Sequence, residues 1–81
     1  SFKWIKKAAE QGLPVAKYQL ASMYYFGKAV DKDNAAAYKW LLIAEKNGYD
    51  PEAVSRLKEA VKGEMTDTQV IEAEKKVEQL N

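Results

Sequence analysis

The sequence predicts an all-α fold: an α-solenoid of five helices stacked as antiparallel neighbours, about two repeats plus a C-terminal capping helix. Three observations predict it. The stretch FKWIKKAAEQG, Phe2 to Gly12, returns as YKWLLIAEKNG, Tyr38 to Gly48, so Lys3, Trp4, Ala8 and Gly12 have counterparts Lys39, Trp40, Ala44 and Gly48 36 positions on. Apolar residues recur at three- and four-residue steps in five segments, the period of a helix face. Those segments are separated by residues that stop and start helices. Self-similarity at a period of roughly 20 to 50 residues marks units that cannot bury their apolar faces alone and therefore stack.

The first helix is read from Phe2 to Gln11, with Phe2, Ile5, Ala8 and Ala9 at helical spacing, Trp4 beside them and Gly12 as its stop. Pro14 suits the first turn of a second helix, along which Ala16, Leu20, Met23 and Tyr24 recur until Gly27. GKAVDKD is a loop with Val30 as an inward anchor. Asp33 caps a third helix, Asn34 to Asn47, whose stripe is Ala37, Trp40, Leu41 and Ala44 and whose stop is Gly48. Both tryptophans are assigned to core packing, because each shares a stripe with alanines that let a neighbouring helix approach. Asp50 and Pro51 restart a fourth helix that closes at Gly63. Here Pro14/Pro51, Ala16/Ala53 and Leu20/Leu57 lie 37 apart, which makes Tyr49 an inserted residue. Thr66 and Gln69 form a capping box, with Met65 and Val70 as its hydrophobic staple, for a fifth helix from Asp67 to about Leu80.

Aligning the caps Asp33 and Thr66 sets Ala37 over Val70, Trp40 over Ala73 and Leu41 over Glu74. The fifth helix therefore takes the place of the third without its Trp, and Glu72, Glu74, Lys75, Lys76 and Glu78 give it the polar outer face with which a solenoid ends.

At 81 residues the chain is one domain, divided as residues 1–12, the second helix of a preceding unit; 13–48, a full unit; and 49–81, a degenerate terminal unit. Thirteen basic and twelve acidic residues leave a net charge of +1, which speaks against a phosphate-tracking face and hence against nucleic acid as a partner. There is no Cys and no His, so the usual zinc sites and the Ser-His-Asp and Cys-His nucleophile systems are absent. The longest apolar run, Trp40 to Ala44, is too short for a membrane span, which takes ~20 residues. A start at Ser1, already inside an apolar pattern, is what a processed or excised piece of a longer protein shows.

The carboxylate pairs Asp31/Asp33, Asp50/Glu52 and Glu72/Glu74 sit at helix starts or on a solvated helix, where capping and solvation explain them without acid–base chemistry. DKDN, Asp31 to Asn34, opens like a calcium loop but lacks the Gly and Glu that such a loop needs further on. No catalytic, metal or cofactor residue is assigned. On the second helix, at about 100° per residue, Tyr18, Ser22 and Tyr25 fall opposite Ala16 and Leu20, on the outward side. Their counterparts 37 positions on are Ser55, Glu59 and Lys62, with Arg56 beside them. Tyrosines there suit recognition, offering large contact area and a hydroxyl at low entropic cost; the bland alternative is that Tyr18 or Tyr25 packs on a neighbouring helix.

The positions Ala16, Leu20, Tyr24, Gly27, Val30, Asp33, Ala37, Trp40, Ala44 and Gly48 resemble the Sel-one-like repeats, relatives of tetratricopeptide repeats, at the spacings of A-x3-LG-x2-Y-x2-G-x-GV-x2-D-x3-A-x2-W-x3-AA-x2-G. Ala21 and Ala29 stand where that pattern prefers Gly, and Glu45 where it prefers Ala. The resemblance implies an antiparallel helix pair whose first helix lines a concave surface. It implies a scaffold for other proteins, in bacteria often around envelope, secretion or host-contact systems, and no reaction. The expected function is thus a protein- or peptide-binding groove made by Tyr18, Ser22, Tyr25, Ser55, Arg56, Glu59 and Lys62, within the C-terminal part of a larger adaptor. The rivals are a purely structural or oligomerising segment and an RNA-binding helical repeat. Phe2, Trp4 and Ile5 repeat the pattern of Tyr38, Trp40 and Leu41, so the first helix is expected to carry exposed apolar surface, to be covered by preceding repeats or by a second copy of the chain.

Overall fold

The computed structural model describes residues 1–80, and all regular structure among them is helical: α1 Phe2–Glu10, α2 Pro14–Phe26, α3 Asn34–Lys46, α4 Pro51–Lys62 and α5 Asp67–Glu78. The caps act as their residue types dictate. Asp33 accepts from the backbone N–H of Ala36 at 3.0 Å and Asp50 from that of Ala53 at 3.2 Å. Thr66 and Gln69 exchange both bonds of a capping box, at 2.9 and 3.1 Å.

The repeat is visible in the backbone itself. At the end of α1 the N–H of Gly12 bonds the carbonyl of Ala9 and that of Leu13 bonds Ala8, both at 3.1 Å. The end of α3 does the same 36 residues on, Gly48 to Glu45 at 3.0 Å and Tyr49 to Ala44 at 3.1 Å. Both are Schellman closures, with the left-handed residue a glycine in each case, φ 101° at Gly12 and 76° at Gly48. Tyr49 is thereby the counterpart of Leu13, and the inserted residue is Asp50 instead of Tyr49. The insertion has a use: α4 starts on a side-chain cap, whereas α2 starts from Leu13 without one.

Ala29 has φ 66°, so the loop does require the left-handed conformation for which glycine is suited, and it holds an alanine there.

The core is centred on α3. Tyr38, Leu41 and Leu42 pack with Ala21 of α2, Leu57 and Val61 of α4 and Val77 of α5. Ala9, Ala16 and Leu20 form a second cluster between α1 and α2, closed by Phe2, Ile5 and Ala8. Trp40 and Tyr24 are partly buried and pack against both, joining one unit to the next. Phe2 meets Tyr24 edge-on, with ring centroids 5.7 Å apart.

Two features depart from the sequence reading. Trp4 is 69% exposed and is no core residue; Trp40 gains its cover from α1 and α2, and nothing occupies the corresponding place beside Trp4. Phe2 and Ile5 are partly buried while Tyr38 and Leu41 are fully so, which agrees with the exposed apolar surface expected on α1. The second departure is in α5. It lies along α3, and the consecutive helices α4 and α5 approach one another far less closely than α2 and α3 do. The α2–α3 seam is lined by Ala21 and Ala37, both fully buried, which lets the backbones come close, whereas the apolar residues of α5, Val70, Ala73 and Val77, all pack on the cluster around α3. Glu74 is part of that contact: it accepts from the Tyr38 hydroxyl at 2.8 Å, so it is more than solvated outer surface.

Candidate protein-interaction surface

α2 and α4 are the first helices of consecutive units and lie side by side. Side chains tie them at both ends. Near the start of α4, the rings of Tyr18 and Tyr49 are 5.3 Å apart, and Lys17 donates to the side chain of Asn47 at 2.7 Å. Beyond the end of α4, the Tyr25 hydroxyl donates to Glu64 at 2.7 Å, and Lys32 stands 3.3 Å from the same carboxylate. The Lys32 ammonium also lies 4.2 Å from the centre of the Tyr25 ring and donates to the Tyr25 carbonyl at 2.7 Å. This cluster straps the α2–α3 loop to the α4–α5 loop.

Its electrostatics follow from the contacts. The Tyr25 hydroxyl bond, then that of Lys32, holds the Glu64 carboxyl below its ordinary value, and the same bond raises the Tyr25 phenol. On the other side of the core, burial and the bond to Glu74 raise the Tyr38 phenol well above its ordinary value.

Of the surface residues read from sequence, Ser55, Arg56 and Glu59 are exposed, and Lys62 is partly buried with its ammonium 3.5 Å from Glu59. Tyr18, Ser22 and Tyr25 are partly buried. The two tyrosines are therefore not free outward side chains: both pack against the core and spend a face on Tyr49 or a hydroxyl on Glu64. Between the ties, Ser22, Ser55 and Arg56 make no side-chain hydrogen bond or ion pair among the described residues. Tyr49, Glu64 and Lys32 escaped the sequence reading. Their roles depend on pairings across 31, 39 and 32 residues, with Tyr18, Tyr25 and Glu64 respectively, which no local pattern announces. Phe26, 69% exposed and edge-on to Tyr25 at 4.9 Å, extends the aromatic end of this surface.

The residues of the repeat pattern fall where a stacking unit needs them. Ala16, Leu20, Ala37 and Ala44 are buried, Tyr24, Val30 and Trp40 are partly buried, Gly27 closes α2 at φ 68° and Asp33 caps α3. The model of the Sel1 repeat matches residues 1–13 and 14–49. The chain belongs to the Sel1 repeat family. The match divides the chain at the turn between α1 and α2, and its second part ends at the Schellman closure of α3.

Sel1 repeats are non-catalytic units that mediate protein–protein interactions. Among curated proteins, chitin synthase regulator SKT5 of Saccharomyces cerevisiae is 36% identical over 58 residues, 72% of this chain and 8% of the relative. An uncharacterized protein of Neisseria meningitidis serogroup B is 44% identical over 46 residues, 57% of this chain and 10% of the relative. The chain thus spans about a tenth or less of the relatives it matches. No solved structure gives a significant match. No helix of the described residues is long and apolar enough to cross a membrane.

Proposed function

We propose that this Sel1 repeat chain is a binding module of a larger adaptor and that the surface shared by α2 and α4 receives a protein or peptide partner. The observation that carries the reading is the pairing of the two helices by ties at their ends, with unengaged polar side chains between them. Tyr18–Tyr49 and Tyr25–Glu64 hold α2 and α4 in a fixed relation, so a partner meets a preformed surface and its binding loses little to ordering. Ser22, Ser55 and Arg56 are free to pair across an interface, Arg56 with a carboxylate in two-pronged geometry. The aromatic end, Tyr18, Tyr25 and Phe26, offers flat contact area, and the charged end, Arg56, Glu59 and Lys62, offers specificity. The exposed Glu72, Lys75, Lys76 and Glu78 suit α5 to a closing place in such an adaptor. Residues 1–12, 13–48 and 49–80 then act as three stacked parts of one binding unit.

The test is charge reversal on the surface, Arg56→Glu with Glu59→Lys, against a control on the far side of α3, Lys39→Glu. Partner capture by the adaptor from its own cells is lost with the first and kept with the second, helical content being equal. Capture that survives the first variant assigns the chain a purely structural role. Retention on single-stranded RNA that falls with salt would favour the nucleic-acid alternative.

A further inference from the structure

Among the described residues, the aromatic with the least cover on α1 and the clearest vacancy on α5 stand at matching positions of the repeat. Trp4, Trp40 and Ala73 are equivalents, by the 36-residue offset and by the alignment of helix caps. Trp40 uses its indole to join its unit to α1 and α2. Ala73 brings a methyl group to the same place on α5, and beside it a furrow of about 320 Å³ opens between α3 and α5. Ala35, Ala36 and Ala73 line it, with Lys39, Glu72 and Lys76 around them. At the other end of the molecule Trp4 is 69% exposed, with Lys7 5.9 Å from its ring and Lys3 adjacent in sequence. The two helices are opposite in charge. α1 has three lysines and one glutamate, +2, and α5 has four acidic residues and two lysines, −2.

A projecting indole and a furrow missing an indole, on different surfaces of one molecule, make a heterologous contact that does not close on itself. We propose that the 81-residue chain associates head to tail: Trp4 of one copy enters the α3–α5 furrow of the next, with the lysines beside Trp4 facing Glu72. The contact continues the stacking of units from one chain to another. It is independent of the α2–α4 surface, so either can fail without the other. A patch this small binds weakly, on the order of 0.1–1 mM, as interfaces under about 1,200 Å² do. The charge component weakens as salt rises, because exposed charges are screened beyond about 10 Å at 0.1 M.

Sedimentation equilibrium of the 81-residue chain and two variants tests this. The wild type gains average mass at least twofold from about 10 μM to 1 mM and gives some of it back in high salt. Trp4→Ala, which keeps the furrow, and Ala73→Trp, which fills it and keeps Trp4, each remain monomeric. Mixed, the two variants form a 1:1 dimer and nothing larger, because only one knob and one furrow remain between them. Circular dichroism confirms that each variant is helical; should Ala73→Trp not fold, Ala73→Glu blocks the furrow in its place. A wild type monomeric at 1 mM, association that survives Trp4→Ala, or a closed symmetric dimer overturns the proposal.

Discussion

Replacing Tyr38 by Phe removes one oxygen from the centre of the molecule and leaves its packing in place. Tyr38 is fully buried on α3, and its hydroxyl reaches Glu74 of α5 at 2.8 Å. The ring stays where it was, so no cavity term arises. Glu74 is itself exposed, and its carboxylate regains water when the hydroxyl is gone, so the loss is that of a net hydrogen bond, about 1 kcal/mol, and not the larger penalty of a stranded buried charge. With a urea slope near 1 kcal/mol/M for a domain of this size, the unfolding midpoint falls by about 1 M. A second readout is pH. The folded state raises the Tyr38 phenol, through burial first and the Glu74 bond second. Its contribution is therefore complete below the ordinary tyrosine value near 10 and is lost as pH rises from there toward the raised value. Lysines titrate in the same window, so the difference between the two proteins is what counts: Tyr38→Phe loses less stability than the wild type between about pH 9.5 and 11. Glu74→Ala combined with Tyr38→Phe adds little to either change alone, a coupling of about 1 kcal/mol. A variant equal to or more stable than the wild type at pH 7, with parallel curves to pH 11, would refute the bond between α3 and α5.

Other outcomes follow from the same contacts. Ala29→Gly relieves the left-handed strain at φ 66° and stabilises the chain by up to about 1 kcal/mol in thermal unfolding, part of the gain being offset by glycine's freedom in the unfolded state. Trp40→Ala destabilises by about 3 kcal/mol, the lower end of the roughly 3–5 kcal/mol expected for a fully buried indole, since Trp40 keeps some exposure; a loss under about 1 kcal/mol would contradict its place between the two clusters. Thr66→Ala opens the capping box of α5 and lowers stability by about 1 kcal/mol. Tyr25→Phe returns the Glu64 titration, followed by NMR, toward the ordinary carboxylate value, because the Tyr25 hydroxyl is the largest cause of its lowering; an unmoved titration would assign that lowering to Lys32.

What was legible in the sequence is what is decided within a few residues. Asp33, Asp50 and Thr66 cap because a short polar side chain before a helical stretch has one nearby use, and Gly12 and Gly48 close helices because the backbone turn there excludes a Cβ. The repeat carried this further, since equal spacing places equal residues in the core, as with Ala8, Ala9 and Ala44. What stayed hidden depends on neighbours remote in sequence. Trp4 and Trp40 look alike along the chain, and only the helices around them leave one exposed and the other covered. Tyr18 and Tyr25 read as outward by helical angle alone, but Tyr49 and Glu64 come up from the next unit and engage them. Helix α5 aligned with α3 by its caps, yet it lies along α3 because its apolar residues are Val70, Ala73 and Val77 and it has no Trp to reach back. The candidate surface was thus located on the correct pair of helices, while the engagement of its tyrosines was beyond local pattern.

The central claim is that α2 and α4 together form the partner-binding surface. Site-specific photocrosslinking tests it most directly, with the crosslinking residue placed in the adaptor at Ser22, Arg56 or Glu59, and for comparison at Lys39 or Lys76 across α3. Crosslinks to one and the same partner from the first three positions and none from the last two are the predicted result. A partner captured equally from both sides, or only from Lys39 and Lys76, would contradict it.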